Sequence, residues 1–188
     1  SLAYMHARLV GVSFAVRAGE AAYVPFGHDY PGAPEQLPAD DVMGALRPLL
    51  EDAACEKVGQ NLKYDLSVLA RHGVTMRGVR FDTMLESYVL DSTATRHNLD
   101  DMALKFLGRE PVKFEDVAGK GAKQITFDQV PVETAGPYAA EDADLAWQLH
   151  EKLWPRLEAE PSLARVFDEI EMPLVPVLSR MERNGTLV

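Results

Sequence analysis

Two kinds of hydrophobic periodicity follow one another along this chain. Between residues 10 and 16 apolar side chains occupy every second position, and a second apolar stretch, "AAYVPF", follows a turn at Ala18-Gly19. This spacing predicts a β-hairpin over residues 8–26. Farther along, apolar residues mostly recur every three or four positions, which is typical of helices. Strands followed by alternating helices and strands predict an α/β domain.

The later elements can be placed from the same periodicity and from turn residues. We expect a helix over "VMGALRPLLED", then a short strand over "EKVGQ" that leads into a helix within "VGQNLKYDLSVLARHGV". A strand that turns into a helix near Asp82 and Thr83 and a helix over residues 98–107 follow. We then expect a polar connection over residues 109–131, a long helix from about Pro137 to Leu157, and a last helix that breaks at Asn184-Gly185.

Composition excludes several classes of protein. The net charge is 19 − 29 = −10, which argues against a protein that coats long nucleic acid through a basic face. It leaves room for a nuclease that holds a few nucleotides through metals. The single cysteine, Cys55, excludes an internal disulfide framework and predicts a cytoplasmic location. No apolar run approaches the roughly 20 residues of a membrane span, so we expect no membrane association.

Three side chains are candidates for chemistry. Asp65 follows four residues after Asn61, and Tyr138 and Asp142 are also four apart, so the latter two share one helix face. Apolar residues continue that face, and an unpaired carboxylate beside them would be costly. A divalent metal or a salt bridge would remove the cost. Spacing alone also allows a solvated Asp65 and an ordinary hydrogen-bonded Tyr138–Asp142 pair.

Three stretches in order narrow these alternatives: "VGQNLKYDLSVL", "FDTMLESYVLDSTATRHNLDDMA" and "YAAEDADLAWQLH". Together with "AGKGAKQITFDQV" they closely resemble the 3′→5′ proofreading exonuclease domain of bacterial DNA polymerase I. The resemblance implies an α/β, ribonuclease-H-like exonuclease fold with a mixed central sheet flanked by helices. It implies a domain over residues 1–166, and residues 167–188 resemble the start of the polymerase domain.

In that family an N-x-x-x-D and a Y-x-x-x-D motif help to bind two divalent metals. The resemblance implies that Asp65 and Asp142 are metal ligands, that Tyr138 positions the attacking water, and that the ions are Mg²⁺ or Mn²⁺, with Zn²⁺ possible at one site. Glu141 is expected to point off the Tyr138–Asp142 face into solvent. The residues that would contact a single-stranded 3′ end of DNA are Leu2, Gln60, Asn61, Tyr64, Arg96 and Phe114.

The chain departs from the family at its first motif, which reads approximately D-x-E-T-x-S-L. This sequence begins with "SL", so two of the four metal carboxylates and the strand that carries them are not among these 188 residues. We therefore expect the polypeptide by itself to be inactive. Two alternatives remain: a ribonuclease D-like 3′→5′ exoribonuclease, and a catalytically inert exonuclease-like scaffold of a polymerase. The polymerase-like tail argues against the first, and the presence of Asp65, Tyr138 and Asp142 argues against the second.

Overall fold

The computed structural model describes residues 6–185, and its first two strands form the predicted hairpin. Strand β1 (Gly11–Arg17) pairs antiparallel with β2 (Glu20–Pro25). Gly19 closes the turn with a φ of 76°, a backbone region that glycine enters without a steric penalty. The alternating apolar pattern therefore identified both strands and the turn between them.

A parallel pair of strands follows helix α1 (Ala39–Glu51). Strand β3 (Lys57–Gly59) pairs with β4 (Val79–Asp82), and helix α2 (Leu62–Arg71) makes the crossover that parallel strands need. Strand β4 runs directly into α3 (Thr83–Leu90), as predicted. Within residues 6–185 the antiparallel and the parallel pair form two separate sheets. The predicted α/β class is confirmed, with both kinds of strand pairing present.

The segment over residues 98–107 is helical, as predicted, but changes its hydrogen-bonding pattern. Helix α4 (Leu99–Met102) continues as a π-helical turn over Ala103–Leu107. The connection that follows holds more structure than its polar sequence suggests, because it contains α5 (Phe114–Ala118) and two 3₁₀ turns, Gly121–Lys123 and Phe127–Gln129. Its few apolar side chains form a small core against the hairpin; these are Ala118, Phe127 and Val130, with Tyr23 and Ala135.

Helix α6 (Val132–Glu158) connects the two sheets, since it packs against β1, β2 and β3. It begins at Val132, so the prediction that Pro137 stands in its first turn is wrong. The helix starts after Pro131 and continues through Pro137, because the loss of one backbone donor does not outweigh the packing of both flanking turns. Its buried side, with Leu149 and Leu153, forms the central core around Met102.

The chain ends in two helices that pack on the first half of the fold. Helix α7 (Pro161–Val166) leads through a π-helical turn, Phe167–Glu171, into α8 (Met172–Asn184). Helix α8 ends before Gly185, which has a φ of 71°, so the predicted break at Asn184-Gly185 is confirmed. It packs on α2, where the hydroxyls of Ser67 and Ser179 are hydrogen-bonded at 2.8 Å. No helix between residues 6 and 185 is long and apolar enough to cross a membrane.

Candidate active site

The first turn of α2 is held in place by a buried carboxylate. Asp82, at the end of β4, is 1% exposed and accepts hydrogen bonds from the backbone N–H groups of Asn61 (3.1 Å) and Leu62 (2.8 Å). It also caps α3 by accepting from the N–H of Met84 at 3.0 Å. Asn61 adopts a φ of 57°, which asparagine tolerates better than most residues. One carboxylate thus joins the N-termini of α2 and α3.

Asp65 lies one turn into α2, on the side of the helix that reaches solvent. The protein that surrounds its carboxylate, and secondly the charge of Asp82, raise the pKa of Asp65 to about 7. Because the residue stays open to solvent, water screens part of this effect on its pKa. Burial and the charge of Asp65 likewise raise the pKa of Tyr64. The predicted residues Asn61, Tyr64 and Asp65 therefore lie together at one end of α2.

On α6, Tyr138 and the half-buried Asp142 lie four positions apart, on one face of the helix. The Tyr138 hydroxyl lies near enough to lower the pKa of the Asp142 carboxylate, as a hydrogen-bond donor does. Burial raises the pKa of Asp142 to about 7, the nearby charge of Asp100 adds to the rise, and the Tyr138 hydroxyl opposes it. Burial, followed by the charge of Asp142, raises the pKa of Tyr138, so its hydroxyl keeps its proton. Asp100, on α4, was not among the predicted site residues.

Aromatic rings surround the Tyr138 end of this pair. The ring of Phe114 lies 6.3 Å from that of Tyr138, and the ring of Phe127 lies 6.0 Å from it. Phe114, at the start of α5, is 38% exposed, so part of its ring faces solvent. The structure therefore places the predicted substrate-contacting Phe114 beside the predicted catalytic Tyr138.

Gln60, which the sequence analysis predicts to contact DNA, makes hydrogen bonds within the protein. Its amide donates to the backbone carbonyl of His97 at 2.9 Å, and its carbonyl oxygen accepts from the Thr83 hydroxyl at 2.5 Å. His97 is buried with a φ of 58°, and its neighbour Arg96 extends into solvent with an 86% exposed side chain. Gln60 therefore ties the segment that carries Arg96 to the start of α2.

The expectation that Glu141 is solvated is wrong. Its side chain is only 23% exposed, and its Oε2 accepts a hydrogen bond from the backbone N–H of Val112 at 3.0 Å. Its Oε1 lies 3.4 Å from a guanidinium nitrogen of Arg109. Glu141 lines one cavity together with Tyr138, so it does not point off that side of α6, and the segment before α5 covers it. Helix periodicity alone could not reveal this cover.

The predicted residues thus form two groups on neighbouring elements, one at the start of α2 and one on α6. Strand β3 leads directly into the first group and packs against α6. Leu2 lies outside the described residues. Asp65 and Asp142 offer the carboxylate oxygens that Mg²⁺ and Mn²⁺ prefer.

Desolvation, and secondly a neighbouring acid, raises the pKa of each aspartate, so a cation would be favourable beside each. In the part of the chain that the structure describes, no group of three or more His, Cys, Asp or Glu side chains is arranged to hold a metal. Asp65 and Asp142 therefore fit a divalent ion in chemistry, and they would supply part of its ligand set.

Comparison with known structures supports the fold. The polymerase Pol1 of M. smegmatis, solved with a DNA primer-template and dNTP, matches 95% of this chain and 26% of its own, with a TM-score of 0.70 and 23% identity. NrnC of Brucella melitensis matches 98% of this chain and 81% of its own, with a TM-score of 0.70 and 22% identity. These similarities confirm the predicted ribonuclease-H-like exonuclease fold.

Comparison of sequences identifies the family. A family model described as 3′-5′ exonuclease matches residues 1–158. DNA polymerase I of Pseudomonas aeruginosa is 64% identical over the whole of this chain, which covers 21% of that relative, and DNA polymerase I of Rhizobium leguminosarum is 44% identical, with 20% of its length covered. The chain spans about a fifth of the length of these curated relatives. It therefore belongs to the 3′-5′ exonuclease family of bacterial DNA polymerase I.

Proposed function

We propose that this chain is the proofreading exonuclease domain of a DNA polymerase I, and that it releases 5′-mononucleotides from the 3′ end of DNA by hydrolysis. The observation that carries the proposal is the placement of Tyr138 and Asp142 on one face of α6, with the partly exposed ring of Phe114 centred 6.3 Å from that of Tyr138. This arrangement sets polar reacting groups beside an aromatic surface. Bases stack on such surfaces without regard to sequence, which suits an enzyme that must accept any mispaired end.

The proposal gives each group a separate task. Asp65 and Asp142 would hold two divalent ions, Mg²⁺ or Mn²⁺, with Zn²⁺ possible at one position. Two such ions activate water and neutralise charge on both oxygens of an in-line displacement. The Tyr138 hydroxyl keeps its proton and is free to orient the attacking water. The residues proposed to contact the single-stranded 3′ end are Leu2, Gln60, Asn61, Tyr64, Arg96 and Phe114.

The domain organisation belongs to the same proposal. Residues 1–166 would form the exonuclease domain and residues 167–188 the start of the polymerase domain, which is its partner in the same cytoplasmic protein. The relatives' greater length supports a longer parent. The 188-residue polypeptide by itself would be inactive, because Asp65 and Asp142 are two of the four carboxylates that the family pattern leads us to expect.

A second candidate is a ribonuclease D-like 3′→5′ exoribonuclease. The observation in its favour is that Brucella melitensis NrnC, whose fold this chain shares, is known in a structure bound to pGG. Its identity to this chain is 22%, and so the similarity concerns the fold. DNA and RNA oligonucleotides of identical sequence separate the candidates: a proofreading domain should degrade the DNA faster, and an exoribonuclease should degrade the RNA faster.

Replacement of Asp142 tests the main proposal. In the full-length protein that carries this chain, Asp142→Ala should abolish release of 5′-mononucleotides from a 3′ end. Addition of nucleotides to a primer should stay near normal, because the proposed polymerase site lies in another domain. An exonuclease rate within about tenfold of the parent, or ~1.4 kcal/mol of barrier, would refute the role of Asp142. A parent without any exonuclease activity would instead support the inert scaffold.

A further inference from the structure

Glu141 connects α6 to the segment that precedes α5. Its Oε2 accepts from the backbone N–H of Val112 at 3.0 Å, and its Oε1 lies 3.4 Å from Arg109. The Arg109 guanidinium also lies 3.5 Å from Asp144. A backbone donor, which cannot rotate away, and a cation thus bind the same side chain. Residues 109–112 are therefore fixed to α6 at Glu141.

The fixed segment leads directly into the substrate side of the site. Phe114 begins α5 two residues after Val112, and its ring packs 6.3 Å from that of Tyr138. Tyr138 and Glu141 lie on adjacent positions of one helical turn of α6. The hydrogen bond from Val112 to Glu141 thus fixes the chain two residues before Phe114, and the contact with Tyr138 fixes the Phe114 ring itself.

We propose that Glu141 is a positioning residue of the exonuclease site: its hydrogen bond to Val112 holds Phe114 beside Tyr138, where the 3′ end of DNA binds. This inference rests on the proposed function, because it assumes that Phe114 contacts DNA. It does not require Glu141 to touch the substrate. A carboxylate near a polyanion is electrostatically unfavourable. Under this proposal the positioning of Phe114 by Glu141 compensates for that repulsion.

The direction in which the affinity for DNA changes distinguishes a positioning role of Glu141 from a purely electrostatic effect. If Glu141 acted only through its charge, any change to a neutral residue would tighten binding of DNA, and a change that keeps the charge would have no effect. If Glu141 acts through Val112, the reach of its acceptor oxygen decides the outcome. Glu141→Gln keeps an oxygen at the same reach, whereas Glu141→Asp keeps the charge and withdraws the oxygen by one methylene.

The experiment measures kcat and KM on single-stranded DNA with the full-length protein. Glu141→Asp should raise KM about fivefold or more and change kcat less than about threefold, the pattern of lost binding rather than lost chemistry. Glu141→Gln should stay within about twofold of the parent in KM. Glu133→Gln is the matched control. Glu133 is an exposed acid on the same helix, and together with Glu141 and Tyr138 it lines a cavity of about 450 Å³. Removing the charge of Glu133 should not raise KM.

A double substitution tests whether Glu141 acts through Phe114. Phe114→Ala should weaken binding of DNA roughly 5- to 150-fold, the range for one stacked base. Adding Glu141→Asp to it should change KM by less than about twofold, because residues that act as a unit are not additive. Hydrogen exchange adds a direct measurement: the Val112 amide should be protected in the parent and in Glu141→Gln, and exposed in Glu141→Asp.

Three outcomes overturn the inference: full additivity with Phe114→Ala, tighter binding of DNA by Glu141→Gln together with an unchanged Glu141→Asp, or an unprotected Val112 amide in the parent. If the parent degrades DNA and Phe114→Ala impairs it, any of these refutes the inference and leaves the proposed function intact. If the parent shows no 3′→5′ exonuclease activity, the proposed function falls and the inference with it.

Discussion

Asp142 carries a charge that its surroundings disfavour. Burial, with the nearby charge of Asp100, raises its pKa to about 7 from an ordinary value of 3.8. The folded protein therefore holds this proton more tightly than the unfolded chain does. The resulting contribution to stability is fully present below about pH 4 and is lost as the pH rises through about 7. Without metal, the folded domain should thus become less stable in this pH window.

Replacing Asp142 with a neutral residue of the same shape should remove this loss of stability at higher pH. We expect Asp142→Asn to raise the midpoint of thermal unfolding of the metal-free exonuclease domain, and the gain should be larger at pH 8 than at pH 5. A gain of about 1 kcal/mol corresponds to about 2–4 °C for a domain of this size. The measurement is calorimetry of the full-length protein in a chelator. A midpoint at pH 8 that is equal to or below that of the parent would contradict the assigned cause.

Replacing Tyr138 tests whether its single hydroxyl takes part in the proposed reaction. Tyr138→Phe removes the donor to Asp142 and little volume. If the hydroxyl orients water, the exonuclease rate should fall by about 10²-fold or less, the range for a single orienting or acid–base group. Affinity for Mn²⁺, measured by titration calorimetry, should stay near the parent's. A large loss of metal affinity would show that the hydroxyl supports the metal ligands instead.

At the scale of elements, hydrophobic periodicity predicted the strands, helices and turns whose bounds depend on nearby residues. The hairpin, the strand-to-helix junction at Asp82 and the end of α8 all follow from residues within one turn or one strand pair. The start of α6 and the helical turns between residues 109 and 131 do not, because they depend on packing against the distant hairpin. The partners of Asp82 and Glu141 are also distant in sequence, so spacing could not identify them.

Asp82 should matter most for the two helices that it joins. We expect Asp82→Ala, which removes both acceptor oxygens, to speed hydrogen exchange at the amides of Asn61, Leu62 and Met84 by about tenfold or more, since an unsatisfied buried donor costs about 1–3 kcal/mol. The exonuclease rate should fall as well, because α2 carries Asp65. Asn98→Ala is a suitable control: Asn98 caps only α4, through the Asp101 N–H at 2.8 Å, and its effect should stay within that helix. Unchanged exchange at Leu62 would contradict the assigned role of Asp82.

At the scale of the whole molecule, the acidic chain bears on how the DNA binding that we propose could occur. A net charge of −10 is unfavourable for binding a polyanion, so under the proposed function the aromatic and polar groups near Tyr138 and Arg96 would bind DNA through short-range contacts. Helix α6 makes this possible by joining both sheets and by carrying Tyr138 and Asp142. Strand β3, which leads into the group on α2, also packs against α6, so α6 connects the two groups of site residues although they come from separate parts of the sequence.

The last prediction concerns the 188-residue polypeptide expressed by itself, which we expect to be inactive on single-stranded DNA with either Mg²⁺ or Mn²⁺. Two dications held by few carboxylates keep poor coordination shells, and residues 6–185 contain no cluster of three or more candidate ligands. The matched comparison is the full-length protein at equal concentration, assayed by release of 5′-mononucleotides. Metal-dependent trimming from the 3′ end by the 188-residue polypeptide would show that its own carboxylates complete the site. Asp100, which lies near Asp142, would then be the first residue to replace with alanine.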